Sequence, residues 1–413
     1  MKYWVETLGC PKNEVDSAKL AGTLVADGYA PAESSDDADV VVVNTCAFIE
    51  AARQESIDTV LALSASRKSG ARVVVTGCMA ERYGSELADA LPEVDQVAGF
   101  GVPVTLGRPG TSPLPSFDLL NLPRPRSDVP WAYVKVAEGC DRNCGFCAIP
   151  SFRGKQRSRS MQSILDEVEA LDAQEIVLVA QDLASYGNDI DERRAIVPLV
   201  RELTQRVARV RLLYLYPSDL TDELIDTIGA TGVPYFDLSL QHASATLLRR
   251  MRRWGNGEKF LDRIADIRLR FPDAGLRSSF IVGYPGETET DHDELLAFIR
   301  EAQLDWAGLF AFSPEEGTYA MTQDGHVAPE LVAERLAEVS ELQDTITRTR
   351  RAALVGETIT VLVDSPGVGR GHREAPEIDG VVRVPVDLTP GKFQPVVVTG
   401  VHGVDLEAER SSF

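Results

Sequence analysis

The sequence predicts an α/β chain in three parts: an N-terminal parallel α/β sheet domain, a central partial (β/α)6 TIM-like barrel and a small C-terminal β-barrel. Three observations carry this. Strand-like apolar runs alternate with amphipathic stretches over roughly the first hundred residues. The alternation then repeats six times between residues 131 and 313, and from about residue 353 short β runs sit between Gly and Pro turns instead. At 413 residues, 44% of them hydrophobic, the chain can bury two or three cores.

In the first part, 1–106, KYWVETLG, DVVVVNT and ARVVVTG read as strands, separated by the helical patterns NEVDSAKLAGTLVADG and IEAARQESIDTVLALSA. Residues 107–130, GRPGTSPLPSFDLLNLPRPRSDVP, are Pro-rich and aperiodic, which marks a linker. Six strand candidates follow over 131–327: WAYVKVAEG, EIVLVA, VRLLYLY, YFDLSLQ, LRSSFIVG and WAGLFAFS. Six β/α units suggest a partial barrel with its site at the C-terminal strand ends; an open doubly wound sheet is the alternative. A connecting helix is expected over 328–352, and TITVLVD, GVVRVPVD and FQPVVVTGV in 353–413 fit a five-stranded barrel.

Composition narrows the function classes. No run of about 18 apolar residues occurs, and the opening MKYWVETLGC lacks the basic start and apolar stretch of an export signal, so a cytoplasmic protein with no membrane span is expected. All six cysteines lie within the first 147 residues of this long chain, which points to metal binding in a reducing compartment rather than to disulfides. The net charge of −21 (42 Lys+Arg against 63 Asp+Glu) repels a polyanion such as RNA and favours a basic partner.

The segment EGCDRNCGFCAIP sets Cys140, Cys144 and Cys147 at C-x3-C-x2-C, directly after the first strand of the central part. Three thiolates on one loop can hold three corners of a 4Fe-4S cubane and leave the fourth iron without a protein ligand. That iron can chelate S-adenosylmethionine (SAM), whose reductive cleavage yields a 5′-deoxyadenosyl radical. A structural zinc loop would want four ligands, and no fourth Cys or His lies nearby. Phe146 is placed to pack near the adenine. Gln181 and Asp182, Gln241 and His242, and the turn of Gly283, Pro285 and Gly286 follow other strands and are candidates to touch ligand on the same face. The basic run RGKQRSR, with Arg153, Lys155, Arg157 and Arg159, reads either as a solvated face or as a site for an anionic group such as the SAM carboxylate.

Cys10, Cys46 and Cys78 each end a predicted parallel strand. Neighbouring strands are about 5 Å apart, so the three thiols either converge on a second centre or are small buried packing residues.

The words TLGCPKNEVDS, VVNTCAFIEAARQESIDT, VTGCMAERY, EGCDRNCGFCAIPSFRGKQRSR, SLQHAS and SSFIVGYPGETETD resemble the methylthiotransferase family of radical SAM enzymes along nearly the whole chain, and the tail is similar to a TRAM domain. The resemblance implies two 4Fe-4S clusters, an auxiliary one on Cys10, Cys46 and Cys78 and a SAM-binding one on Cys140, Cys144 and Cys147. One SAM would supply a methyl group to sulfur and a second the hydrogen-abstracting radical.

GCPKN, AQD and QHAS are nearer the branch that adds a methylthio group to the β-carbon of an aspartate in a small-subunit ribosomal protein. Methylthiolation of tRNA adenosine is the alternative. The tail from 353 holds 5 Lys+Arg minus 9 Asp+Glu, or −4, which suits a basic ribosomal protein, free or on the ribosome, better than RNA. An electron donor such as flavodoxin or ferredoxin is implied, and no catalytic side chain is assigned. Ser239 and His292 depart from the family pattern without touching an expected ligand.

Overall fold

Val40, Val41, Val42 and Val43 are all fully buried, which a parallel strand covered on both faces requires. They form the middle of the first sheet, whose strands are β1 (Lys2–Thr7), β2 (Ala30–Pro31), β3 (Val40–Thr45), β4 (Arg72–Gly77) and β5 (Gln96–Val97). All pair in parallel, in the order β2-β1-β3-β4-β5. This doubly wound order places a topological switch between β1 and β3, where the carboxyl ends of the strands open a crevice. The structure, a computed structural model, describes residues 1–99 and 118–411. The part of the expected linker from 107 to 117 lies outside the described residues.

The central strands are β6 (Trp131–Lys135), the ribbon β7 (Ala137–Glu138) with β8 (Arg157–Ser158), then β9 (Glu175–Val179), β10 (Arg209–Leu212), β11 (Tyr235–Gln241), β12 (Gly275–Val282) and β13 (Trp306–Ala311). β6, β9 and β10 form one parallel sheet and β11, β12 and β13 another, joined by a parallel bridge between Leu215 and Leu238. The six strands thus curve into a partial barrel. The run 131–139 is not one strand: it breaks after Lys135, and Ala137 and Glu138 pair antiparallel with Ser158 and Arg157.

Strand alternation separates two cores. Val134, Ile176 and Leu178 pack outward with helix residues such as Ile164, Val168 and Leu199. Tyr133, Val177, Val179, Tyr235 and Trp306 cluster on the opposite, inner face. That inner cluster also holds Val15, from the helix Pro11–Ala26 of the first part, and Ala375 from the C-terminal part. The barrel is stopped at both ends by its neighbours.

The helix Pro329–Ala352 leads to β14 (Thr358–Ser365), β15 (Val368–Arg370), β16 (Val382–Arg383), β17 (Phe393–His402) and β18 (Asp405–Arg410). They close in the order β14-β15-β16-β18-β17 around Val361, Val363, Val396, Val398 and Leu406. This small barrel seats on the N-terminal strand ends. Tyr133 donates to the Pro376 carbonyl (2.8 Å), Tyr235 to Asp379 (2.6 Å) and Trp306 to the Arg373 carbonyl (2.6 Å). Buried Glu175, at the start of β9, accepts from Arg211 (2.8 Å) and Arg370 (3.3 Å).

At the opposite end the first part is clamped on by buried Glu315, just beyond β13, which pairs with Arg82 (2.7 Å) and Arg53. Among the described residues no helix is long and apolar enough to cross a membrane.

Candidate active site

The loop of Cys140, Cys144 and Cys147 begins where the β7 ribbon ends, at the carboxyl end of the first barrel strand. Arg142 fixes it from within. Its guanidinium donates to Asp182 (2.6 Å) and Ser185 (3.1 Å) beyond β9 and pairs with Asp219 beyond β10. The Tyr216 ring carries two cations, Arg142 at 4.0 Å and Arg253 at 3.9 Å from its centroid. The Arg142 backbone N–H points at the Cys140 sulfur, and Arg253 at that of Cys144, both at 3.4 Å. Burial, with repulsion from the neighbouring thiols, pushes Cys140 up to about 11 and Cys147 to about 12.

The first sheet builds the second triplet. Cys10 precedes the helix Pro11–Ala26, Cys46 follows β3, and Cys78 opens the helix Cys78–Ala90 after β4. Glycines bring these strand ends into contact. Gly9 sits at φ +99°, and a Cβ there would stand 2.9 Å from the Cys46 sulfur. Gly77 sits at φ +91°, where a Cβ would lie 2.6 Å from the Thr45 carbonyl oxygen. Gly77→Ala is expected to cost about 1–3 kcal/mol in denaturant unfolding and to lower the iron retained per chain, because strain at this φ and the Thr45 backbone both oppose the methyl group.

Buried Asn13 laces the three ends together. Its amide donates to the carbonyls of Leu8 (2.7 Å) and Thr45 (3.2 Å), and its oxygen lies 3.8 Å from the Cys78 sulfur. Burial, with repulsion from Cys78 and Cys10, pushes the Cys46 thiol up to about 12.

A buried ionic group spans the two triplets. Arg153 donates to the Cys78 sulfur (2.9 Å) and Asn13 (2.9 Å) through one nitrogen, and to Asp16 (3.2 Å) and Glu138 (2.9 Å) through the other. Lys135 donates to Glu138 (2.6 Å) and pairs with Asp16. Burial opposes the Glu138 charge, but Arg153 and Lys135 win and hold the carboxyl well below its usual range.

Gln181 donates to Glu138 (2.6 Å), and its own carbonyl oxygen is buried without a partner. Phe146 packs half-buried on the barrel core. Gln241 takes φ +75° where the β11–β12 register shifts. Gly283 approaches Val332 of the helix Pro329–Ala352 rather than an open space, and the Pro285 carbonyl accepts from Arg250 (3.0 Å). Burial pushes His242 down to about 3, so it stays neutral, and its Nδ1 accepts from the Ser244 N–H (3.0 Å).

In RGKQRSR, Lys155 is exposed, but Arg153 and Arg159 are buried on the chain's own groups, Arg159 on the Lys135 carbonyl (3.0 Å) and Glu167. Asn13, Asp16, Arg142 and Arg253 escape a sequence reading centred on cysteines and strand ends. For Asn13 a signal existed: it stands three residues after Cys10, so it lies one helical turn away.

Each donor set is three soft sulfur ligands, and burial opposes the ionisation of Cys46, Cys78, Cys140 and Cys147, a penalty that a cationic iron centre would reverse. Among the described residues, no three His, Cys, Asp or Glu side chains close around a space for a single bare ion. Each triplet offers three thiols, the kind of donor that three corners of a cluster require. A separate cavity of about 710 Å³, lined by Arg209, His372, Arg373 and Phe393, opens at the other end of the strands, at the seam with the C-terminal barrel.

The fold and the Cys140–Cys147 loop define a radical SAM enzyme. Residues 134–299 match the radical SAM superfamily, 2–99 the Uncharacterized protein family UPF0004, and 355–410 the TRAM domain. Membership of that superfamily makes SAM and an iron–sulfur centre its cofactors. A solved radical SAM methyltransferase, TsrM from Kitasatospora setae, shares the fold at TM-score 0.50 with 15% identity over 76% of each chain.

The proteins called ribosomal protein uS12 methylthiotransferase RimO are much nearer. That of Streptomyces coelicolor is 41% identical over 98% of this chain and 95% of its own. Those of Streptomyces avermitilis and Saccharopolyspora erythraea are both 42% identical, over 98% and 97% of this chain and 95% and 93% of theirs. The chain belongs to the RimO family.

Proposed function

We propose that this chain is a methylthiotransferase that modifies the β-carbon of an aspartate in ribosomal protein uS12, with two iron–sulfur centres. The observation that carries the two-centre reading is the pair of cysteine triplets, each at the carboxyl ends of a parallel sheet and linked through Arg153 and Glu138. Cys140, Cys144 and Cys147 hold the SAM-binding centre, and Cys10, Cys46 and Cys78 the auxiliary one. When bound, such a centre supplies an open iron to chelate SAM and an electron to release the 5′-deoxyadenosyl radical.

The chain's own groups do the rest. Arg142 and Arg253 orient the loop sulfurs, Phe146 offers an apolar surface to the adenine, and Gln181 and Gln241 present amides to the polar part of SAM. The turn of Gly283 and Pro285 closes the same face. Asn13 holds the auxiliary strand ends in register. The −21 charge favours a basic substrate protein, and a small redox protein such as flavodoxin or ferredoxin supplies the electrons.

The anaerobically reconstituted protein, given SAM, a reductant and small ribosomal subunits, is expected to release 5′-deoxyadenosine and to add a methylthio mass to uS12. Modified tRNA with unmodified uS12 would overturn the substrate assignment, and no 5′-deoxyadenosine would overturn the reaction.

A further inference from the structure

We infer that Arg153 is a positioning residue that sets the electronic state of the N-terminal three-cysteine centre through its hydrogen bond to the Cys78 sulfur. This rests on the reading that Cys10, Cys46 and Cys78 hold an iron–sulfur centre. A guanidinium presents its N–H groups in a rigid planar fork, so partners on one edge fix what the other can reach. Here one nitrogen is held by Asp16 and Glu138, and the other is thereby aimed at the Cys78 sulfur, 2.9 Å away.

Arg153 is 5% exposed, so water does not compete for those hydrogens. A donor to a ligand sulfur favours the form with more negative charge on that sulfur. On an iron–sulfur centre this is the reduced form, and the reduction potential rises.

The surroundings make the effect separable from simple charge. Lys135 and Arg153 face Asp16 and Glu138, two cations against two anions, all buried. Glu138 lies two residues before Cys140, so the group that touches the Cys78 sulfur also grips the entry to the SAM loop. A lysine at 153 would keep the charge but, as a compact ammonium on a flexible stem, would not be held to the same edge geometry.

The test uses the full chain with Cys140, Cys144 and Cys147 all changed to Ala, which leaves the N-terminal triplet alone. After anaerobic loading with iron and sulfide, iron per chain is measured and the midpoint potential is followed by EPR. Arg153→Gln is paired with Asp16→Asn, because removing one cation and one anion leaves Lys135 balanced by Glu138.

The midpoint is expected to fall in the double variant, to fall less in Arg153→Lys, and not to fall in Asp16→Asn alone. A loaded double variant with an unchanged midpoint, or one that merely reproduces Asp16→Asn, overturns the role of Arg153 and leaves the cluster reading standing. Should the double variant not retain iron, Arg153→Lys decides: a lowered midpoint supports the role and an unchanged one overturns it. Absence of iron from the parent, with Arg153 intact, overturns the cluster reading and the inference with it.

Discussion

Cys144→Ala is expected to abolish 5′-deoxyadenosine release while about half of the iron stays with the chain. Two sulfurs cannot hold three corners of a cubane, and SAM then has no open iron to chelate. The Arg253 guanidinium, 3.4 Å from the Cys144 sulfur, also loses that partner but keeps the Ser239 carbonyl and the Tyr216 face, so the loop stays folded. Cys46→Ala separates the two centres in the other direction. SAM cleavage is expected to persist, because Cys140, Cys144 and Cys147 are untouched, while methylthiolation of uS12 stops. Iron content, deoxyadenosine by chromatography and uS12 mass read the three quantities apart; a Cys46→Ala protein that still methylthiolates would remove the N-terminal triplet from the reaction.

The second large effect lies at the other end of the barrel. Glu175→Ala is expected to lower stability by about 3–5 kcal/mol, the usual result of breaking a buried charge group from one side. Glu175 is completely buried and faces Arg211, Arg370 and, at 4.0 Å, Arg209, which would be left without it. Burial alone would raise its carboxyl, but the three guanidiniums pull it down to about 2.

A carboxyl depressed in the folded state contributes stability above its unfolded value of about 4.3 and loses it as pH falls toward 2. The difference between wild type and Glu175→Gln in denaturant unfolding should therefore be largest near neutrality and shrink through that window. A constant difference across it would show that the site does not hold the ionised form.

Much of this was legible in the order of residues. Parallel strands buried on both faces need continuous Val, Ile and Leu, so β3, β4 and β9 announce themselves, and cysteines after such strands fall on one edge by topology. The break after Lys135 was not legible, since WAYVKVAEG is uniformly strand-like and only pairing with Arg157 and Ser158 turns it. Arg153 was equally hidden. A basic residue in RGKQRSR has nothing local to say that one of its two carboxylates is Asp16, 137 positions earlier. Gly283 is hidden in the same way: its sequence context suggests ligand approach, and nothing local announces that Val332, from a helix far along the chain, stands where its Cβ would be.

The interior of the central barrel carries a consequence for how the molecule comes apart. Val15 enters that interior from the first part and Ala375 from the last, beside Tyr133, Tyr235 and Trp306. The C-terminal barrel keeps a core of its own around Val361, Val396 and Leu406, but the inner cluster of the central barrel is completed by both neighbours. Cutting the chain after residue 352 would leave the hydroxyls of Tyr133 and Tyr235 and the indole N–H of Trp306 without the acceptors they now have. Loosening the C-terminal barrel therefore reaches the floor of the domain that carries the Cys140–Cys147 loop, through the same three hydrogen bonds.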